Sequence, residues 1–132
     1  MARILLIDDE AGVRRAVARF LRTLGHDVLE AEGGGEGLRL ASRVRVDLVI
    51  TDLNMPGVDG IEVIMALRES APGIPVIAMS GGGLVPKELL LDSAGLLGAM
   101  VVLAKPFELG EMSDAVARAL GGRAAQTSGG TP

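Results

Sequence analysis

The sequence predicts an α/β domain built on a parallel β-sheet. Short, β-branched apolar runs alternate five times with segments of helical period along the 132 residues, and this alternation is typical of βα repeats around such a sheet. The length suits one domain with a proper core. Hydrophobic residues make up 48% of the chain, but only Phe20 and Phe107 are aromatic, so we expect a core of aliphatic side chains and methionine.

The first βα repeat shows the pattern most clearly. An apolar run at 4–7 predicts the first strand. Gly25 predicts that the helix between this strand and the glycine ends in a left-handed C-cap. Apolar residues recur at 3.6-residue spacing along one stripe of this helix: Val13, Val17, Phe20, Leu21 and Leu24. Arginines fall mostly on its other side: Arg14, Arg15, Arg19 and Arg22. We therefore expect the apolar stripe to pack on the sheet.

Proline and glycine breaks separate the later repeats. Pro72-Gly73 interrupts the chain before the fourth strand, and Leu38 and Ala41 are predicted on the inward face of the second helix. The remaining strands are predicted at 27–30, 46–51, 75–79 and 99–104, and the remaining helices at 34–43, 61–68, 86–97 and 109–120. The residues that follow are small, polar and glycine-rich, so we predict one domain at 1–121 and a flexible tail at 122–132.

Composition and charge argue against several classes of function. The chain has no cysteine, which excludes disulfides and thiolate metal sites and fits a cytoplasmic protein. Its net charge of −4 and the lack of a basic patch with interleaved aromatics argue against direct nucleic-acid binding. We find neither a signal-peptide pattern nor an apolar run near the ~18 residues of a membrane span. We therefore expect a cytoplasmic protein without membrane insertion.

Polar residues follow four of the apolar runs. Asp8-Asp9, Asp52, Ser80 and Lys105 lie at or just past the ends of the first, third, fourth and fifth predicted strands. Because the carboxyl ends of parallel strands share one edge of the sheet, we expect these residues to meet there. Carboxylates bind divalent cations such as Mg²⁺, an aspartate can attack a phosphoryl group, and a lysine can pair with a phosphate. The set therefore indicates a cation and phosphoryl site.

Each of these residues also has a simpler interpretation on its own. Asp9 could cap the first helix, Asp52 could bond its own backbone in a turn, and Ser80 and Lys105 could be ordinary loop residues. The combination weighs against these alternatives, since two carboxylates ~4 Å apart repel by about 4 kcal/mol at an effective dielectric of about 20. Converging acids are thus expected to share a cation.

Four motifs carry a resemblance to a known family. They are Ile7-Asp8-Asp9-Glu10, the segment TDLNMPGVDG at 51–60, Met79-Ser80, and Ala104-Lys105-Pro106-Phe107. As a set in this order, they resemble the receiver domain of bacterial two-component response regulators, the CheY-like family, over about residues 3–120. The resemblance implies a flavodoxin-like fold, with a five-stranded parallel sheet in the order 2-1-3-4-5 and five helices.

The resemblance also implies a function. Asp52 would accept a phosphoryl group from a sensor histidine kinase or a histidine phosphotransfer protein, and phosphorylation would switch protein–protein contacts in two-component signal transduction. The chain would be a single-domain response regulator, or a piece excised from a longer one. It would catalyse only its own phosphorylation and dephosphorylation, so we do not expect an enzyme that turns over an external metabolite.

Specific roles for the site residues follow from the same resemblance. Mg²⁺, for which Mn²⁺ could substitute, would be bound by the side chains of Asp9 and Asp52, by the backbone carbonyl of Asn54 and, through water, by Asp8. Lys105 would contact the phosphoryl group, Ser80 would sense it, and the peptide bond from Lys105 to Pro106 would be cis. Val102 departs from the pattern, because the family often carries Tyr or Phe at that place as an aromatic switch.

Two other functions and one partner surface remain open from the sequence. A phosphatase with an aspartyl nucleophile would need a second Asp where Asn54 stands, and a degenerate receiver would act only as a binding module. Consecutive leucines at 89–91 cannot all face inward from the predicted helix at 86–97. One leucine could simply be exposed, which is common, or this helix could form a partner or homodimer face together with the last strand and the last helix.

Overall fold

The computed structural model describes residues 2–81 and 101–128. Within these ranges, five parallel strands form one sheet in the order β2-β1-β3-β4-β5, which confirms the predicted fold class and strand order. The strands are β1 (Arg3–Ile7), β2 (Asp27–Ala31), β3 (Leu48–Asp52), β4 (Val76–Ser80) and β5 (Val101–Ala104).

Helices pack on both faces of this sheet. The structure describes α1 (Ala11–Thr23), α2 (Gly34–Arg43), α3 (Gly60–Ser70) and a C-terminal helix (Leu109–Ser128). The end of α1 matches the prediction, since Gly25 adopts a φ of +94°. The helix predicted at 86–97 lies outside the described residues. Over the two described ranges, none of the helices combines the length and apolar character needed to cross a bilayer.

The C-terminal helix is longer than the sequence predicts. It continues through the glycines at 121 and 122 to Ser128, whereas the sequence pattern predicts an end near 120. Each of these glycines costs about 1 kcal/mol relative to alanine, but the alanine, arginine and glutamine residues at 123–126 favour helix. The predicted start of the tail at 122 therefore falls within the helix, and the flexibility of the tail stays a prediction.

Alternate residues of each strand face two separate cores. In β1, Ile4 and Leu6 pack in the core beneath α1 and the C-terminal helix, whereas Leu5 and Ile7 pack in the core beneath α2 and α3. Because helices cover both faces, β1, β3 and β4 contain unbroken apolar runs, whereas the edge strand β2 includes Glu30. The helices contribute Val17, Leu21, Met112 and Val116 to the first core, and Val63, Ile64 and Leu67 to the second.

Two residues of the α1 segment differ from the predicted pattern. Leu24 is 46% exposed, because it lies past the last helical residue, where the inward stripe no longer applies. Arg14 is buried, although the spacing placed it with the outer arginines. Its burial is explained by Glu30 in β2, whose Oε1 accepts a hydrogen bond from Arg14 Nε at 3.1 Å.

The start of α3 lies directly against the end of β3. A Cβ atom on Gly60 would overlap the carbonyl oxygen of Asp52 and the backbone of Leu53, so only glycine fits at this contact. Asp59 caps the helix, because its Oδ1 accepts a hydrogen bond from the amide of Glu62 at 2.9 Å. These contacts fix the loop that leaves the end of β3.

Candidate functional site

The predicted site residues lie at one edge of the sheet. Asp52 is the last residue of β3 and Ser80 the last of β4, while Asp8 and Lys105 directly follow β1 and β5. The parallel register keeps these strand ends level. The sheet therefore brings together residues that are as far as 97 positions apart in the chain.

The ammonium group of Lys105 occupies the centre of this edge. Its Nζ donates hydrogen bonds to Asp8 Oδ2 at 2.9 Å, to Asp52 Oδ2 at 2.9 Å and to Glu10 Oε1 at 3.1 Å. The lysine side chain is only 12% exposed. Its backbone amide donates to the carbonyl of Ser80 at 2.7 Å, which ties the residue to the end of β4.

The second oxygen of each buried aspartate is also bonded. Asp52 Oδ1 accepts a hydrogen bond from the amide of Asn54 at 3.1 Å, and Asp8 Oδ1 accepts one from the amide of Glu10 at 2.9 Å. Both side chains are almost completely buried. The loops after β1 and β3 therefore fold back so that their own amides hold the carboxylates in place.

Burial and pairing act in opposite directions on the ionisable groups. Burial raises the pKa of Asp52 above its usual value, and the hydrogen bond and charge of Lys105 offset this only in part. Burial tends to lower the pKa of Lys105, but hydrogen bonds to Asp52 and Asp8 outweigh it, so that this pKa is raised. The lysine therefore remains the fixed positive charge of the site.

Three carboxylates at this edge form a group with the geometry to hold a cation. Asp8, Glu10 and Asp52, here called the acid group, each offer an oxygen, and these oxygens lie within 4.8 Å of one another. Among the described residues, Lys105 is the only cation that forms salt bridges with the acid group, so the ionised acid group keeps two surplus negative charges. Oxygen donors with this surplus fit a hard divalent cation such as Mg²⁺, and also Mn²⁺.

The composition of the acid group differs from the predicted ligand set. Asp9 is exposed and lies outside the group, whereas Glu10 belongs to it. Adjacent side chains leave the backbone in different directions, so Asp8 turns inward to Lys105 while Asp9 faces solvent. Glu10 is the N-cap residue of α1, but its side chain makes no capping bond, so the alternative that Asp9 caps this helix is wrong. The position of Glu10 in the sequence, two residues past Asp8, was the signal that could have identified it as a member of the acid group.

The remaining predicted site residues lie in β4 and β5 or in the loops that follow β3 and β5. Ser80 is fully buried and its Oγ donates to the carbonyl of Gly81 at 3.4 Å. Val102 in β5 is partly buried against the core beneath α2 and α3. The bond from Lys105 to Pro106 is cis, as predicted. Asn54 is exposed and contributes its amide to Asp52.

Comparisons with known proteins agree with this geometry. A family model described as the response regulator receiver domain matches residues 4–117. A response regulator receiver domain protein from Clostridium thermocellum superposes with a TM-score of 0.88 at 30% identity, over 96% of this chain and 99% of that one. Chemotaxis protein CheY4 from Vibrio cholerae superposes with a TM-score of 0.80 at 30% identity, over 91% and 99% of the two chains.

Similar sequences include both short and long proteins. Sporulation initiation phosphotransferase F from Bacillus subtilis is 32% identical over 118 residues, which cover 89% of this chain and 93% of that protein. Transcriptional regulatory protein GlrR from Escherichia coli is 34% identical over 119 residues, which cover 90% of this chain and 26% of that protein. The chain thus spans nearly the whole of one relative and about a quarter of the other.

Proposed function

The chain belongs to the family of response regulator receiver domains, and we propose that it is an Mg²⁺-dependent phosphoacceptor that carries its phosphoryl group on Asp52. Receiver domains are signalling domains rather than classical enzymes. The donor we propose is a phosphohistidine on a sensor histidine kinase or a histidine phosphotransfer protein. The cytoplasm, which the cysteine-free composition fits, is the compartment we propose for this exchange.

One observation carries this proposal. Asp52 Oδ2 and Asp8 Oδ2 both lie 2.9 Å from Lys105 Nζ, so a nucleophilic carboxylate, a second acid and a fixed positive charge share one pocket. A cavity of about 500 Å³ opens beside Lys105 and is bounded by Gly81 and Phe107 among others. The cavity reaches Lys105 and Glu10 from the side of α1 and the C-terminal helix.

The transfer consists of one bond exchange. A carboxylate oxygen of Asp52 attacks the phosphorus, the P–O bond forms as the P–N bond to the donor imidazole breaks, and the imidazole takes a proton from solvent. Because Asp52 Oδ2 is bonded to Lys105 in this structure, the lysine must exchange this bond for one with the phosphoryl oxygens. Its flexible stem allows that movement, and its charge then offsets the charge of the new acyl phosphate.

The residues present fit a cation that assists this exchange. Asp8, Glu10 and Asp52 would hold Mg²⁺, with Asp9 and the carbonyl of Asn54 at the rim as the further ligands that we propose from the family pattern. Bound Mg²⁺ supplies positive charge beside the transferring phosphoryl group, which phosphoryl transfer needs more than covalent assistance. Ser80 is the hydroxyl that would bond the transferred group and relay its presence.

The decisive experiment is phosphorylation by a small acyl phosphate with and without Mg²⁺. We expect intact-mass spectrometry to show one added phosphoryl group on the wild-type protein with Mg²⁺ only, and none on Asp52→Asn. Asp114→Asn is the matched control, because Asp114 is an exposed aspartate of the C-terminal helix, away from the sheet edge. Labelling of Asp52→Asn equal to that of the wild-type protein would contradict the proposal.

Two further measurements separate the competing functions. Repeated turnover of a phosphomonoester would favour the phosphatase, and failure to bind both Mg²⁺ and beryllofluoride would favour a binding module without phosphorylation. For the output, we propose that phosphorylation changes contacts with a downstream protein or a second copy, through the face that joins 86–97 to β5 and the C-terminal helix. Val102 of β5 stands where the family often carries an aromatic residue, so the output that we propose would not use a ring that changes position.

A further inference from the structure

A buried arginine contacts the loop that carries two members of the acid group. Arg14 is in α1 and its side chain is 6% exposed. Burying a guanidinium is unfavourable unless its charge is paired, and the pairing comes from the edge strand β2, where Glu30 Oε1 accepts from Arg14 Nε at 3.1 Å. Glu32 Oε1 lies 3.9 Å from Arg14 Nη2. The arginine is therefore anchored without using any carboxylate of the acid group.

Another nitrogen of the same guanidinium binds the loop that carries Asp8 and Glu10. Arg14 Nη1 donates a buried hydrogen bond to the backbone carbonyl of Asp8 at 2.9 Å. The amide of Asp8 donates to Ala31 at 3.1 Å, its Oδ1 accepts from Glu10, and its Oδ2 accepts from Lys105. Arg14 thus supplies the bond that orients the peptide after Asp8.

We propose that Arg14 is a positioning residue for Mg²⁺ binding. Paired with Glu30, Arg14 fixes the backbone carbonyl of Asp8. It thereby determines the positions of the Asp8 and Glu10 carboxylates relative to each other. This inference rests on the proposed function, because it takes the acid group as the Mg²⁺ site. Partners that orient metal ligands commonly change metal affinity by about 10–100-fold when they are removed.

The direction in which Mg²⁺ affinity changes distinguishes a positioning role of Arg14 from a purely electrostatic one. A guanidinium near an acid group repels an incoming cation, so a neutral residue in place of Arg14 would strengthen Mg²⁺ binding if charge were its whole contribution. Loss of positioning acts in the opposite direction, because the Asp8 carbonyl is left without its donor and the loop can turn. Weaker Mg²⁺ binding in a neutral variant is therefore the signature of the proposed role.

The test compares two arginines that share a partner. Arg22 also donates to Glu30, at 3.3 Å, and to the carbonyl of Val28, but no hydrogen bond joins it to Asp8. We expect Arg14→Gln to weaken Mg²⁺ binding about tenfold, and Arg22→Gln to change it less than about twofold. Because the chain lacks tryptophan and tyrosine, the titration is made by isothermal calorimetry.

A second measurement, hydrogen exchange of backbone amides, is made without metal. The amide of Glu10 bonds Asp8 Oδ1, whereas the amide of Gly37 in α2 bonds the carbonyl of Gly33, the N-cap residue of that helix, and makes no bond to the acid group. In Arg14→Gln, we expect hydrogen exchange of the Glu10 amide to accelerate relative to that of Gly37, whereas general destabilisation would accelerate both. Should Arg14→Gln fail to fold, Arg14→Lys takes its place, because one ammonium cannot serve both Glu30 and the Asp8 carbonyl.

The outcomes separate this inference from the proposed function. A folded Arg14 variant that binds Mg²⁺ as tightly as the wild-type protein, or more tightly, overturns the positioning role. If the wild-type protein binds no Mg²⁺, the proposed function fails, and the exchange rate of the Glu10 amide alone decides whether Arg14 fixes the loop. Unchanged exchange of Glu10 relative to Gly37 then overturns the inference as well.

Discussion

Lys105 holds together carboxylates that would otherwise repel one another. Its ammonium group bonds three acids that come from the loop after β1 and from the end of β3. The lysine is nearly buried, so water can replace few of these bonds. At the scale of single residues, the site is therefore an ion cluster whose arrangement depends on one amine.

Replacing Lys105 should make the stability of the fold depend on Mg²⁺. Breaking a buried ion pair by removing one partner costs about 3–5 kcal/mol, so we expect Lys105→Gln to lower the free energy of unfolding by about that amount without metal. Saturating Mg²⁺ should restore part of the loss, because it supplies positive charge to the same carboxylates. Urea denaturation with and without Mg²⁺ measures both effects.

Arg118→Gln is the control for this substitution. Arg118 is an exposed cation of the C-terminal helix, and its loss should change the free energy of unfolding by less than about 0.5 kcal/mol. Equal stability of Lys105→Gln and the wild-type protein in the absence of metal would show that the amine does not stabilise the acid group.

The sequence alone could place some of these residues but not others. Asp8, Asp52 and Lys105 were predictable, because each follows an apolar run and parallel strands end at one edge. The presence of Glu10 in the acid group was not predictable, since it depends on which way each side chain turns in a loop, and the role of Asp9 as an Mg²⁺ ligand stays a prediction. Arg14 falls on the outer side of α1 by spacing alone, because helical spacing contains no information about a buried glutamate on another strand.

At the scale of elements, the contact between β3 and α3 shows how the fold fixes the position of Asp52. Gly60 begins α3 against the backbone of Asp52 and Leu53, and its amide donates to the carbonyl of Leu53 at 3.2 Å. The strands and α2 were predictable to within a few residues from apolar runs and breaks. Helix ends were less predictable, as the C-terminal helix shows, because propensity beyond the glycines decides where such a helix stops.

Alanine at two glycine positions should have opposite effects on stability. At Gly60 a methyl group would overlap backbone atoms that cannot rotate away, so we expect Gly60→Ala to destabilise the protein by about 1–3 kcal/mol. A methyl group added at Gly12 in α1 would meet no neighbouring side chain or strand within 4 Å, so Gly12→Ala should stabilise by about 0.5–1 kcal/mol. Thermal or urea unfolding of both variants tests this pair, and a stabilising effect at Gly60 would contradict the described contact.

At the scale of the whole molecule, the two edges of the sheet have different chemistry. The carboxyl edge holds the acid group, whereas the amino edge holds a salt bridge of 3.0 Å between Arg3 and Asp27, with His26 beside it. His26 is half-buried, and its Nδ1 accepts a hydrogen bond from the amide of Ala2 at 3.2 Å. Burial lowers the pKa of His26 below its usual value, which favours the neutral ring that this bond requires.

This histidine should add a pH dependence to stability that is separate from the site. Because its pKa is lower in the folded protein than in the unfolded chain, its contribution is complete above about pH 6.5 and is lost as the pH falls through the folded pKa. We expect the stability advantage of the wild-type protein over His26→Asn to shrink between about pH 7.5 and about pH 5.5. The control is Asp27→Asn, in which His26 is retained and the pH effect should persist.

The span of sequence between Asp8 and Lys105 has a consequence for synthesis of the protein. The ion cluster joins residues 97 positions apart, so a growing chain on the ribosome exposes its acids long before the amine that neutralises them has been made. Until Lys105 is added, those acids lack the ammonium group that bonds all three of them. A chain cut short before residue 105 therefore lacks the ammonium group that joins the three acids, so the ion cluster can assemble only after the last strand has been synthesised.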